Sequence, residues 1–193
     1  MSGSVAASEV KCARCLLPQR VCLCAEIPTV VTRTRVVIIR HYSEHNRMSN
    51  TARLAHQALP NSELIDYGHI SGPVALPDLS DAWVLYPIGE PTTETPAVPP
   101  AKLVVLDASW SKARKMYQKL AVVRGLPVLR LPDGLPMAAQ RMRSSPGPGQ
   151  VSTIEAIAAA LRLLEGEAAG GPLDRLFEVA VERANRTGRV NKR

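Results

Sequence analysis

The chain has 193 residues, a formal net charge of +7 and 46% apolar residues. That length suits one α/β domain with room for a small appendage, and the apolar share is ordinary for a globular core. No stretch approaches a membrane span, and residues 1–10 are small and polar without a signal-peptide core, so a cytoplasmic protein with no membrane partner is expected. The charge is unevenly spread. Between Asp107 and Asp133 the charged residues are all basic: Lys112, Arg114, Lys115, Lys119, Arg124 and Arg130. The tail after Glu182 is also purely basic, with Arg183, Arg186, Arg189, Lys192 and Arg193. Such asymmetry suits a phosphate-rich partner, although a solvated helix face and a frayed tail look the same in sequence.

All four cysteines, Cys12, Cys15, Cys22 and Cys24, fall in one short segment with the spacing C-x2-C-x6-C-x-C. Four thiolates so close can close a tetrahedral site around Zn²⁺, structural because no position is left open for water or substrate. Two disulfides are the alternative, and a reducing cytosol disfavours them. Residues 10–28 are therefore expected to form a zinc knuckle, and residues 29–193 a second unit.

Beyond the knuckle, strand and helix signals alternate. Arg33 to Arg40 holds the strand candidate Val36-Val37-Ile38-Ile39, and Asn50 to Leu59 has helical spacing. Ser62 to Asp66 and Ala82 to Tyr86 are strand candidates, and Pro91, Pro96, Pro99 and Pro100 make 88–100 a loop. Leu103 to Leu106 and Pro127 to Leu131 are further strands, with a helix at 110–123 between them. Residues 132–150 read as a second long loop. Ser152 and Glu155 have capping-box spacing at the head of a helix that Gly166 ends, and Pro172 to Asn185 is a last helix. The alternation predicts an α/β sandwich around a parallel sheet.

Asp107-Ala108-Ser109-Trp110 follows the buried-strand run Leu103-Val104-Val105-Leu106 and opens the next helix. Open α/β sheets bind ligands at such strand exits. A carboxylate there can act as a base and an indole can stack on a nucleobase; a plain helix start with Asp or Ser as N-cap and a packed Trp is the bland alternative.

The tetrapeptide, followed by Lys112-Ala113-Arg114-Lys115, resembles the Asp-x-Ser/Thr-Trp signature of the DTW-domain family. Further blocks are similar to that family: His41-Tyr42-Ser43-Glu44, Arg47-Met48-Ser49-Asn50-Thr51-Ala52, Leu85-Tyr86-Pro87, and Arg141, Arg143 with Ser152-Thr153-Ile154-Glu155-Ala156. The resemblance runs from residue 12 to about 160. Tyr42 departs from the Pro that many relatives carry there, and Ser109 replaces the commoner Thr while keeping the hydroxyl.

The resemblance implies a SPOUT-like fold with a knotted carboxy-terminal half, an S-adenosylmethionine pocket, and a tRNA partner; no DNA partner is expected. It also implies a reaction, transfer of the 3-amino-3-carboxypropyl group of S-adenosylmethionine to N3 of a uridine, with methylthioadenosine leaving. Asp107 is assigned as the base, Ser109 as the group orienting base or cofactor, and Trp110 as a stacking platform or a packing residue. Leu85, Tyr86 and Pro87, with Leu106, Leu129, Leu131 and Pro132, would line the cofactor cleft. Ser152 and Thr153 would hold the donor's carboxylate at a helix start, or simply cap the helix. Arg47, Lys112, Arg114, Lys115, Arg141 and Arg143 would bind RNA, Arg141 and Arg143 holding phosphate or that carboxylate. Glu44 and Arg47, with His41 nearby, could reach RNA or the reacting base; a surface ion pair explains the spacing equally. A SPOUT-like RNA methyltransferase and a non-catalytic, zinc-stabilised RNA-binding protein remain open readings.

Overall fold

The computed structural model describes residues 10–68, 72, 75–135 and 151–187. Arg141, Arg143, most of the 132–150 segment and the tail beyond residue 187 lie outside the described residues.

Five strands, β1 (Arg35–His41), β2 (Ser62–Tyr67), β3 (Ala82–Leu85), β4 (Lys102–Asp107) and β5 (Val128–Leu129), form one sheet in the order β2-β1-β4-β3-β5. Every pairing is parallel. The apolar runs explain this arrangement, because a parallel sheet is covered on both faces and its strands need no alternation. Val36 to Ile39 are all at most 1% exposed. Val36, Ile38, Leu103 and Val105 share one core with helices α1 (Thr51–Ala58), α4 (Thr153–Glu165) and α5 (Glu167–Asn185). Val37, Ile39, Val84 and Val104 share the other with Met116 of α2 (Trp110–Lys119) and Val123 of α3 (Ala121–Arg124). The result is a three-layer α/β/α sandwich, as the alternation predicted.

Several boundaries differ from expectation. The helix expected over 110–123 breaks at Leu120 (φ −85°, ψ 83°), which caps both α2 and α3. The last helix starts at Glu167 rather than Pro172, so Pro172 lies inside α5. Pro172 is six residues into α5, past the first turn, so it leaves the i−4 carbonyl without that intrahelical bond. Gly166 ends α4 as expected, at φ +91°, a conformation that favours glycine. Gly170 lets α5 approach α4: a Cβ there would lie 2.6 Å from the Ala158 carbonyl oxygen.

The cysteine segment is not a free appendage. Leu17, Val21 and Leu23 are at most 4% exposed and belong to the same core cluster as α1, α4 and α5. Gln57 of α1 also donates to the Arg14 carbonyl at 2.8 Å, and Arg183 of α5 pairs with Glu26. Among the described residues no helix is long and apolar enough to cross a membrane.

Because all strands run the same way, all their carboxyl ends share one edge. That edge carries His41, Tyr67, Leu85 and Asp107, and it is where the candidate site is built.

Candidate functional site at the strand exits

Asp107 ends β4 and is 1% exposed. Its Oδ2 accepts from Asn50 Nδ2 at 2.5 Å and its Oδ1 from the Thr153 hydroxyl at 2.6 Å. Asn50 is the N-cap of α1, its own Oδ1 accepting from Arg53 N at 3.0 Å. Thr153 is the first residue of α4, and Thr51 accepts from Ile154 N at 3.4 Å. The carboxylate thus sits where two helix starts meet, the end of a helix dipole that favours negative charge. Ser109, not Asp107, occupies the N-cap position of α2, and it makes no capping hydrogen bond there.

Arg40 stands opposite Asp107 on one side and Asp66 on the other in the strand register. It is 3% exposed and grips Asp66 with two hydrogen bonds, Nε to Oδ1 at 2.6 Å and Nη2 to Oδ2 at 3.0 Å. His45 Nδ1 lies 2.7 Å from the same carboxylate. Burial pushes the Asp66 carboxyl up, but the bonds from Arg40 and His45 outweigh it and the net direction is down. Tyr42, His45, Asn46 and Asp66 line a cleft of ≈ 430 Å³ beside this pair, a size that suits a small ligand.

A second polar group links β1 to α2. The Lys112 ammonium donates to Ser43 Oγ at 2.7 Å, and Ser43 Oγ lies 2.9 Å from His41 Nδ1. Burial, and next the Lys112 charge, push His41 below the usual imidazole range, with Glu44 acting the other way. On the β3 side, Tyr86 stacks on Tyr117 of α2 with ring centroids 4.0 Å apart at 8°. Burial raises the Tyr86 phenol, so it stays neutral. Trp110, Arg114 and Lys115 are exposed on α2, Trp110 by 40%.

The four cysteine sulfurs lie within 4.8 Å of one another, with Cys12 to Cys24 at 3.6 Å and Cys15 to Cys22 at 3.7 Å. A tetrahedral site with ~2.3 Å Zn–S bonds has S–S edges of about 3.8 Å. A disulfide would bring two sulfurs to about 2.05 Å. The donor set fits Zn²⁺ and not paired disulfides. Backbone N–H groups of Cys15 and Arg14 lower the Cys12 thiol to about 6, whereas burial pushes the Cys15 and Cys24 thiols up.

The pattern that defines the DTW domain matches residues 9–185. The chain belongs to the DTW domain family. It is 28% identical to "tRNA-uridine aminocarboxypropyltransferase 2" of Macaca fascicularis over 170 residues, covering 80% of this chain and 56% of that protein. The mouse protein of the same name gives the same figures, and that of Drosophila melanogaster is 26% identical over 168 residues, covering 80% and 66%. The chain thus spans little more than half the length of the first two. No solved structure matches it.

In this DTW domain the expected residues divide into those brought together and those left apart. Asp107 and Thr153 touch, and Tyr86 leads from β3 to the pairing with Leu129, whose carbonyl accepts its N–H at 3.1 Å. Leu85, Leu106, Leu131, Pro132, Ser109 and Ser152 are half-buried along the same edge, and Pro87 is exposed. The Thr153 hydroxyl donates to Asp107, so this carboxylate also lies at the start of α4. Ser152 N–H donates to Glu155 at 2.7 Å, the returning bond of the expected capping box. Lys112 is tied to Ser43, whereas Arg114 and Lys115 face solvent. The Glu44–Arg47 pair exists at 3.6 Å but is not a surface pair, because Glu44 is 1% exposed while Arg47 is 52% exposed. Asn50 as clamp, Ser43, Tyr117 and the Arg40–Asp66–His45 group escaped residue-by-residue reading. An Asn before a helix-spaced run was the only local signal for the first.

Two outcomes follow. The purified protein should carry one Zn²⁺, and a strong chelator or Cys12→Ser should release it and lower the melting temperature of the whole chain, since the knuckle shares the main core; loss of metal with an unchanged melting curve would contradict this. Asp66→Asn strands a buried guanidinium and should cost about 2 kcal/mol at neutral pH, below the ~3–5 of a fully buried pair because Asp66 is a third exposed. The folded carboxyl lies below its unfolded value, so this contribution is present above about pH 4 and fades as pH falls through the folded value. Denaturation of both proteins from neutral to acid pH should show the gap closing; a constant gap would assign the loss to packing.

Proposed function

We propose that this protein modifies tRNA, transferring the 3-amino-3-carboxypropyl group of S-adenosylmethionine to N3 of a uridine. The observation that carries the reading is the buried Asp107 carboxylate, fixed by Asn50 and Thr153 at a strand exit of a chain whose relatives bear the name tRNA-uridine aminocarboxypropyltransferase 2. A SPOUT-like, knotted form of the sheet, a cytoplasmic location, the knuckle at 10–28 and the catalytic unit at 29–193 belong to the same proposal.

When bound, S-adenosylmethionine supplies an electrophilic γ-methylene and a neutral thioether leaving group. The residues present suit such a ligand. Leu85 and Leu131, half-buried over the buried Leu129, offer apolar contact, and on the other face of the sheet the Tyr86–Tyr117 stack offers a flat aromatic surface. Uracil N3 forms the new C–N bond as the C–S bond breaks, the electron pair leaving with sulfur. The N3 proton goes to Asp107 in this reading. Asn50 and Thr153 are uncharged donors, so they hold the carboxylate in place without pairing its charge. With 1% of its surface exposed, Asp107 is shielded from bulk water, and the N3–H must be delivered into that enclosed position. Trp110 and the exposed Arg114 and Lys115 are placed to meet the polynucleotide; Arg47, Arg141 and Arg143 join them in this reading. Contacts of basic side chains to phosphate position an RNA without selecting its sequence.

The test is mass spectrometry on unmodified tRNA incubated with the protein and S-adenosylmethionine. A uridine gain equal to the aminocarboxypropyl group, with methylthioadenosine released, is expected. A methyl gain with S-adenosylhomocysteine would replace this reading with the methyltransferase one, and zinc-loaded protein giving no gain would favour RNA binding without catalysis. Asp107→Asn should lower kcat by at least ~100-fold with tRNA affinity little changed; unchanged turnover would remove Asp107 from the chemistry.

A further inference from the structure

Arg40 carries a donor that the chain leaves unused. Its side chain is 4% exposed, and among the described residues its Nη1 is buried with no hydrogen-bond partner. A buried guanidinium N–H without an acceptor costs free energy, and a native chain rarely keeps one. The rest of the group is held firmly. Nε and Nη2 both donate to Asp66, at 2.6 and 3.0 Å, and His45 Nδ1 lies 2.9 Å from Nη2. The guanidinium is planar with its three nitrogens evenly spread. The edge given to Asp66 therefore leaves Nη1 pointing the opposite way, off β2.

The face of the sheet gives that direction a meaning. Val36 and Ile38 of β1, and Leu103 and Val105 of β4, lie in the core under α1, α4 and α5. The period of two puts Arg40 and Asp107 on the same face, at the strand exits, where they are register partners. Leu85 and Leu131 pack against that core from the far side of β4. In sheet order this face thus offers a guanidinium with a spare N–H at β1, the Asp107 carboxylate at β4, and apolar side chains at β3 and just after β5. Arg53 of α1 donates to the His45 carbonyl, which brings a second guanidinium to the residue beside Arg40.

We infer that Arg40 Nη1 binds the carboxylate at the amino-acid end of the donor. This rests on the S-adenosylmethionine reading above. Three bonds separate the carboxyl carbon from the γ-methylene, a reach close to one strand spacing of about 4.8 Å. A carboxylate at Arg40 sets the γ-methylene over the next strand, β4, which ends in Asp107, and leaves the adenosine toward Leu85 and Leu131. Arginine and carboxylate form a charge-assisted pair, and the ammonium on the same carbon offsets the added charge. Nη1 is closed to solvent in the unliganded chain, so a side chain over it turns aside on binding. The group held this way is the group transferred. Once its bond to sulfur breaks, methylthioadenosine keeps no link to Arg40.

Calorimetry on the zinc-loaded protein compares S-adenosylhomocysteine with its decarboxylated analogue, which lacks only that carboxylate. The wild type should bind the analogue about 10–100-fold more weakly, the range of one hydrogen bond to a charged group. Arg40→Lys keeps the charge but not the planar fork, and should narrow the gap to below about threefold. The gap is a ratio on one preparation, so a reduced folded fraction cancels. Where the variant does not fold at all, hydrogen exchange of the wild type decides: S-adenosylhomocysteine should slow residues 42–47 and the analogue should not. Equal wild-type affinity for the two ligands, an undiminished gap in a folded Arg40→Lys, or equal protection by both ligands overturns the inference and leaves the S-adenosylmethionine reading intact. A wild type that binds neither ligand overturns both.

Discussion

A carboxylate buried at the end of a central strand is costly unless fixed donors surround it, and Asp107 meets that constraint by recruiting two helices. Asn50 and Thr153 supply the hydrogen bonds, and the starts of α1 and α4 supply the favourable dipole ends. The same bonds tie three elements distant in sequence: β4, α1 and α4. The Thr51 contact to Ile154 N adds a direct link between the two helix starts. The residue best placed for chemistry is therefore also the one that holds the strand-exit edge in shape.

The parallel sheet then decides what else gathers there. Asp66, Arg40 and Asp107 stand side by side in the register of β2, β1 and β4, and the buried Arg40 guanidinium grips the Asp66 carboxylate. On the opposite face of the sheet, His41 follows Arg40 by one residue and meets Lys112 from α2. The period of two in a strand separates the acidic clamp from the His–Ser–Lys relay, yet keeps both at one edge. The cysteine segment lies away from this edge and shares the core of α1, α4 and α5.

Much of the architecture was legible because it rests on local rules. Unalternating apolar runs announced a sheet covered on both faces, Ser152 and Glu155 announced the start of α4, and Gly166 its end. The cysteine spacing announced a tetrahedral donor set. What was not legible depends on direction and distance. Sequence placed Asp107 at a strand exit but could not show that its carboxylate turns away from α2 and toward α1 and α4. Tyr86 was visible, whereas its partner Tyr117 lies on the far layer and is joined only by folding. Glu44 beside Arg47 looked like a surface pair because spacing carries no information on burial. The break at Leu120 was hidden because neither glycine nor proline marks it and leucine is itself a good helix former.

The central claim is that the donor and its acceptor meet at this edge, around Asp107. Hydrogen exchange of the zinc-loaded protein with and without S-adenosylmethionine tests it most directly. The account predicts slowed exchange at residues 85–87, 129–132 and 151–153, with the knuckle at 10–28 unchanged. Protection confined to the knuckle or to the outer face of α5, with the strand exits unaffected, would contradict it.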